Sequence, residues 1–544
     1  MSSSSRSSAT DVDNNNNNNN NNSENLAPQL SALFLIRFDK KVGYTIAWKR
    51  TASDIPLDGE VEFKSLPSGL HGVKSDLVYF VHEGYAGLSA FANGEAGEED
   101  RNAQFVAVGI LVPLSYGRLG RSWLHARRLM KIASALAEDP KATAPLEAFW
   151  EEQSKPRSES STLKPEQFKG HSRTRALSRI TAVIPSEQSL PPFHPALSIV
   201  EYIDIFGPLV FRLQQAALLR KRILFVGAPP VRNTCEFVYN LSVLASIPNS
   251  AAELLSPGTE SLLRLRSLFS VGIHDIPLLE KLRSASDSEE LSEDGLAAHG
   301  WVACTTDEIM VHKNQLYDIV VEIPPTYEAA PQRRRWPVVR TSDGTQIKAS
   351  QRDVWRYKLL HHELWKYRNG SGQANGDAAS DDDQAALLGN KVTEASEEDY
   401  NEAYDETVVE PMGWSRFAYL GFMWWASAGE SDAYTTRERE RDRELLGDLS
   451  DFQDGLHTAI IAYFHRSTSS LITRLAEVIE LVDDEDEDQD SLVLGKDDIS
   501  RIGLDTWSEG DKAFVQEFLL MYFGRRAEVH GANLECCGVR VPVF

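Results

Sequence analysis

The sequence predicts a mixed α/β protein with a helical C-terminal region, and three observations carry that expectation. Paired apolar runs with β-type composition fill the first hundred residues after a polar N-terminal stretch. A succession of helix, strand, turn and helix lies between residues 195 and 247. Past Pro325, apolar residues recur at helical spacing.

The elements follow in chain order. Residues 1 to 27 are rich in Ser and Asn with almost no apolar content, so they are expected to be disordered. "LSALFLIRF" and "GYTIAWKR", separated by "DKKV", read as a hairpin with Asp39, Lys40 and Lys41 at its tip. "VEFKSLPSGLHGV" is a short amphipathic stretch through Val61, Phe63, Leu66 and Leu70. "DLVYFVHE" and "YAGLSAFAN" form a second hairpin that turns at Glu83 and Gly84, and "QFVAVGILVPL" adds a fifth strand. Leu119, Trp123, Ala126, Met130 and Ala133, at spacings of three and four, predict an amphipathic helix. It carries a basic face of Arg118, Arg121, Arg127, Arg128 and Lys131, which is read as a solvated surface.

A polar stretch between about 150 and 190 has linker composition. Beyond it, "RILFV" reads as a strand, "GAPP" as a turn and "TCEFVYNLSVLASI" as a helix. "FSVGIHDIP" and "GWVACTTDEIMVHKNQLYDIVVEIPP" supply further strands of a mostly parallel sheet, with Lys313 and Asn314 as a two-residue turn. Thr305 and Glu308 match a capping box, a helix-start signal that competes with the strand reading of "DEIMVH". Helices follow to a β-like tail at "ECCGVRV".

Composition narrows the function. The net charge of −24 argues against nucleic-acid binding, which needs clustered Lys and Arg. That charge is uneven: residues 371–410 hold twelve acids against one lysine and 483–490 hold seven acids, which leaves about −6 for the rest. Both blocks read as disordered insertions. Cys235, Cys304, Cys536 and Cys537 lack metal-ligand spacing and read as reduced thiols. No secretory or transit signal opens the chain, so a cytoplasmic location is expected. The most apolar run, "FAYLGFMWWASA", has about twelve residues where a bilayer span needs about 20, and reads as a buried helix or docking patch.

No catalytic constellation emerges. "VGAPPV" has one glycine, and Pro229 and Pro230 have no N–H to offer a phosphate, so it reads as a rigid strand-to-helix turn in which Gly227 takes a positive φ. "HHEL" at His361 lacks the second histidine four residues on that zinc would need. "GLSAF" breaks the nucleophile-elbow pattern at its last position. His274 and Asp275, adjacent in "GIHDIP", would point to opposite faces of a strand, which favours a structural loop-end role. No cofactor and no metal are expected.

In their order, "RLQQAALLRKRILFVGAPPV", "FVYNLSVLASIP" and "FSVGIHDIP" resemble the central block of DENN-domain proteins. The opening hairpin, together with "FKSLPSGLHGVKSDLVYFVHEGYAGLSAFAN", "GWVACTTDEI" and "QLYDIVVEIPP", is similar to the LCHN-type branch and its fungal relatives. The resemblance implies a longin-like upstream module over 28–150, a polar linker over 151–190, a central DENN α/β module over 191–330 and a helical downstream DENN-like region over 331–544. It implies guanine-nucleotide exchange on a Rab-family GTPase, or an adaptor role, with recruitment to endosomal, vesicle or lipid-droplet surfaces. The alternative is a non-catalytic trafficking scaffold with the same fold. Because exposed polar turns are free to meet a partner, the expected Rab-binding residues are Asp39, Lys40 and Lys41, then Arg232 and Asn233, then His274 and Asp275.

Overall fold

The computed structural model describes residues 27–39, 41–94, 104–154, 190–287, 300–325, 335–370, 407–413, 416–417, 421, 436–447, 455–485, 491–530, 534–536 and 539–541. Its centre is a ten-stranded sheet in the order β10-β9-β6-β8-β7-β3-β4-β5-β1-β2.

The antiparallel half forms from the two predicted hairpins. β1 (Ala32–Asp39) pairs with β2 (Gly43–Thr51) up to Asp39 opposite Gly43. A short helix, α1 (Val61–Ser65), precedes β3 (Ser75–His82) and β4 (Tyr85–Gly94). The turn between these strands consists of Glu83 and Gly84, at φ of 46° and 78°. Two positive φ values in a two-residue loop match the right-handed twist of the strands, and the glycine takes its value without steric cost. β5 (Gln104–Pro113) then pairs with both β4 and β1.

The helix over β4 and β5 starts later than its periodicity predicts. Gly120 and Arg121 both have positive φ, and a 3₁₀ turn follows at Ser122–His125, so α2 runs from Ala126 to Glu138. Its buried stripe is Ala126, Leu129, Ile132, Ala133, Leu136 and Ala137. Arg118 consequently leaves the expected basic face. It is half-buried and donates to the Ser242 carbonyl at 3.1 Å and to Ser246 Oγ at 2.7 Å. α3 (Ala144–Gln153) completes this half.

α4 (Ile199–Phe206) and α5 (Leu209–Leu218) are separate helices because Gly207 breaks the run with φ of 54°. β6 (Ile223–Val226) leads into α6 (Val231–Leu244), and β7 (Arg266–Ser270) into α7 (Ile276–Asp287); β8 (Trp301–Thr305) and β9 (Ile319–Glu322) follow, and β6 to β9 are mutually parallel. The step from β6 to β7 passes over β8, whereas the steps to β8 and then to β9 run back. Right-handed crossovers therefore put α6 on one face and α7 on the other. Burial agrees: Phe225 and Cys304 pack with Cys235 and Val238 of α6, whereas Leu224 and Ala303 pack with Leu279 of α7 and Met310. Lys313 and Asn314 are consequently not a hairpin turn. "EIMVH" is a 3₁₀ helix, so the strand reading fails, but the expected capping box does not form: the residue before the helix is Asp307, and Thr305 Oγ1 accepts the Asp307 N–H at 3.1 Å. β10 (Val338–Thr341) closes one edge antiparallel to β9.

The halves join where β7 runs antiparallel to β3 through Phe80 and Phe269. The C-terminal region adds α8 (Gln351–Gly370), α9 (Thr436–Leu446), α10 (Leu456–Glu485), β11 (Ser491–Leu494), α11 (Lys496–Arg501), α12 (Glu509–Phe523) and β12 (Arg526–Val529), then β13 (Leu534–Cys536) and β14 (Val539–Val541). Of the acidic blocks, 371–406 and 486–490 lie outside the described residues, as do 1–26, residues 155–189 of the expected 151–190 linker, whose first residues end α3, and most of "FAYLGFMWWASA". The start of the second block, Asp483 to Glu485, is the last turn of α10. Among the described residues no helix is long and apolar enough to cross a membrane.

Arg212, on the fully buried α5, ties this region to the sheet-covering helices. Its guanidinium meets Asp511 Oδ1 at 2.7 Å, Asp353 Oδ2 at 3.1 Å, Glu410 Oε1 at 3.2 Å and Ser508 Oγ at 2.8 Å. Burial alone disfavours the charge, but Asp511, Asp353 and Glu410 outweigh it and hold the guanidinium protonated. Removing one partner of a buried pair leaves the others uncompensated. Arg212→Ala is therefore expected to cost about 3–5 kcal/mol in chemical denaturation, and Arg212→Lys less; a loss below about 1 kcal/mol would mean the pairing is solvent-screened.

Candidate functional site

The strand registers bring the three predicted sets to one end of the sheet. Arg37 lies opposite Val106, Gln104 opposite Gly94 and Ser75 opposite Ala92, so the tip between β1 and β2 shares an end with the start of β3. β7 runs antiparallel to β3, which puts the carboxyl ends of the parallel strands there too. Six strand spacings of about 4.8 Å separate β1 from β6, or about 29 Å across the sheet.

The second set sits at the start of α6. Pro230 precedes this helix and offers no side-chain cap. The vacant N–H groups are met from the other half of the sheet: Asp76 of β3 accepts from Val231 N at 2.6 Å and from Arg232 N at 3.2 Å. Nothing in the local sequence marks Asp76, because its partners are 155 and 156 residues away. Burial pushes its carboxyl up to about 6, against the pull of the Val231, Leu77 and Arg232 amides and the Arg232 guanidinium. Arg232 also donates to Glu236 Oε1 at 2.7 Å and lies 5.1 Å over the Phe193 ring, so its guanidinium is only partly open to a partner.

Asn233 lines a recess with Gly227, Glu201, Ile205 and Ile323, of about 30 Å³. That holds about two waters and no nucleotide. Gly227 does not have the positive φ expected of it. What constrains it is space, since an added Cβ would lie 3.0 Å from Thr234 Oγ1.

The third set divides. β7 ends at Ser270, and His274 and Asp275 lie in a 3₁₀ turn, Ile273–Asp275, that opens α7; the strand reading of "GIHDIP" does not hold. Asp275 is not an exposed turn residue. It accepts from Gly272 N at 3.0 Å and pairs with Lys64 of α1 at 3.2 Å, both side chains under a tenth exposed. His274 is exposed and stacks on Phe63 of α1 with ring centroids 3.8 Å apart. Around this stack Ile273, Leu278 and Ile309 are exposed apolar side chains on the loops after β7 and β8 and on the first turn of α7. The sequence contained a signal for Phe63: it lies about 200° around a helix from Val61, off the buried stripe.

At the first set, Lys40 and the side chain of Asp39 lie outside the described residues. Lys41 is exposed there, beside exposed Phe38 and Val42. Among the described residues no cluster of His, Cys, Asp and Glu could hold a metal ion. Cys235 and Cys304 are buried free thiols.

This long mixed sheet with its helical C-terminal region has the DENN-domain fold, and residues 33–332 match the family profile described as DENN domain-containing protein 11. The chain belongs to that family. Residues 409–494 and 484–542 match a second profile, a domain of unknown function, DUF4484. DENN domain-containing protein 11 of Danio rerio is 31% identical over 66% of this chain and 65% of its own length, and that of Xenopus laevis 33% identical over 54% and 59%. The chain thus spans less than two thirds of those relatives. The uncharacterized Saccharomyces cerevisiae protein ANR2 is 24% identical over 94% of both chains.

The cap gives a pH prediction. Asp76 has a higher pKa folded than its ordinary value of 3.8, so the folded state binds the proton more tightly. The stability this adds is fully present below pH about 4 and is lost as pH rises through about 6. The stability gap between wild type and Asp76→Ala should therefore shrink by about 2 kcal/mol between pH 4 and 8. Urea denaturation across this range measures it, and a gap that widens with pH would mean the amide bonds win over burial.

Proposed function

We propose that the protein binds a Rab-family GTPase at this end of the sheet and accelerates release of its nucleotide, as a DENN-type exchange factor in membrane trafficking. The observation that carries the reading is the Phe63–His274 stack, one ring from each half of the sheet, with exposed Ile273, Leu278 and Ile309 around it. An exposed apolar cluster of this kind suits a protein partner. The span of about 29 Å from β6 to the β1–β2 tip is about the diameter of a small domain, which one GTPase would cover. Exchange of this kind needs no covalent chemistry, only a surface that favours the nucleotide-free partner.

In this reading residues 28–150 act as the longin-like upstream module, 191–330 as the central module and 331–544 as the downstream region. Asn233, His274 and Lys41 make direct contact, Arg232 contributes its partly open guanidinium, and Asp275 holds the His274 turn from within. The protein works in the cytoplasm and is recruited to endomembrane surfaces. Its assignment to the LCHN-type branch with fungal relatives is supported by the near full-length coverage of the yeast relative.

A panel of nucleotide-free Rab proteins identifies the partner by pull-down, and release of a fluorescent guanine nucleotide measures exchange. Phe63→Ala with His274→Ala, and separately Asn233→Ala with Lys41→Glu, are each expected to slow the accelerated release about tenfold, or about 1.4 kcal/mol, with unchanged circular dichroism. Wild-type rates in both double variants would put the surface elsewhere. A Rab that binds without faster release would make the protein the non-catalytic scaffold instead.

A further inference from the structure

A second cavity lies between α5 and the C-terminal helices α9, α10 and α11, with about 40 Å³ of free space. That is room for about three waters, the scale of a small inorganic ion. Its charged lining is Arg356, Arg441, Arg501 and Asp442, with Ser467, Thr468 and Ser470 supplying hydroxyls.

Arg356 pairs with Asp353 at 3.9 Å, whereas Arg441 and Arg501 form no ion pair among the described residues. Asp442 is the one carboxylate in the lining, and both its oxygens already face Arg352 Nη2 at 3.4 Å. Arg441 gives its two terminal nitrogens to the Arg501 and Ser500 carbonyls, each at 2.7 Å, and its Nε is buried with no partner among the described residues. Arg356 is buried, donates to Ser467 Oγ at 3.0 Å and lies 4.1 Å over the Phe211 ring. Arg501 is exposed at the rim, and no ion pair engages it among the described residues. Buried guanidinium groups favour a multiply accepting anion partner such as a carboxylate or phosphate, because water satisfies the N–H but not the charge.

We infer that this cavity binds a tetrahedral oxyanion, either inorganic phosphate or the phosphate of a phosphomonoester. Phe211 and Gln214 come from the segment matched to DENN domain-containing protein 11, whereas Arg441 and Arg501 come from the segments matched to DUF4484. The cavity therefore lies where the two matched segments meet, and phosphate bound there stabilises the chain by mass action.

Calorimetric titration of the full chain in chloride buffer, with inorganic phosphate and with O-phosphoserine, tests this. Phosphate is expected to bind in the millimolar range or tighter. Arg501→Gln should weaken it about tenfold by removing one charge-assisted donor, and Ser470→Asp, which puts a carboxylate in the cavity, should abolish it. Both sites are at least partly exposed, and a circular dichroism spectrum like that of wild type verifies that each variant folds. Phosphate binding without phosphoserine binding assigns the free ion; binding of both extends the site to phosphorylated partners. No heat from either probe, or wild-type affinity in both variants, overturns the inference.

Discussion

The amino end of α6 is the point on which the two halves of this molecule depend. A helix leaves its first N–H groups without partners, and here the residue before the helix is Pro230, which has no side chain able to accept them. Asp76 of β3 fills that position from the other half of the sheet. α6 then packs against β3, β7 and β8 together, so one carboxylate fixes the orientation of the helix that covers the seam. The direct ladder contact at that seam, Phe80 with Phe269, is short, and Phe269 itself has a positive φ of 59°. Capping and helix burial, more than strand pairing, hold the ten strands as one sheet.

Arg212 solves a related problem for the C-terminal region. A cation facing a helix N-terminus is disfavoured by the helix dipole, yet Arg212 approaches the start of α12. Asp511, in the first turn of that helix, stands between them and serves both: it accepts from Arg212 and its own N–H is met by Ser508 Oγ at 3.3 Å. Glu410, at the end of an acid-rich stretch of sequence, joins the same cluster. Part of the acidity that looks like a solvated run in composition is thus structural charge, held half-buried against an arginine.

The sequence is most legible where structure is set locally. Apolar runs of β-type composition give both hairpins, the Glu83–Gly84 turn follows from residue type, and the β6–α6 unit reads directly from "RILFVGAPPV". It is least legible where a distant group decides. The helix expected from Leu119 is delayed by left-handed Gly120 and Arg121, and the half-buried Arg118 bonds to Ser242 and Ser246, more than a hundred residues on. Lys313 and Asn314 resemble a hairpin turn, but β8 and β9 both add in parallel to β6, a pairing that no local pattern encodes. At the candidate surface, chain order correctly brings the loops after β6 and β7 to one sheet end, because parallel strands share a direction. Polarity alone misjudges their exposure: Asp275 is as polar as His274, and only Lys64, two hundred residues earlier, draws it inward.

That inward pull bears on how such a surface works. A surface that discriminates between states of a partner must not yield to the partner it is meant to distort, and loops left to themselves are the most yielding part of a fold. Here each central loop is braced from the N-terminal half. Asp76 holds the start of α6, Lys64 holds the Asp275 turn, and Gly69 approaches so near that an added Cβ would lie 3.2 Å from the ring of Pro229. The N-terminal half thereby does two things with one stretch of chain, residues 61 to 76. It contributes Phe63 to the exposed cluster and stiffens the loops beside it. Any displacement of one half against the other has to break these buried polar contacts first, so the geometry of the surface is tied to the integrity of the seam.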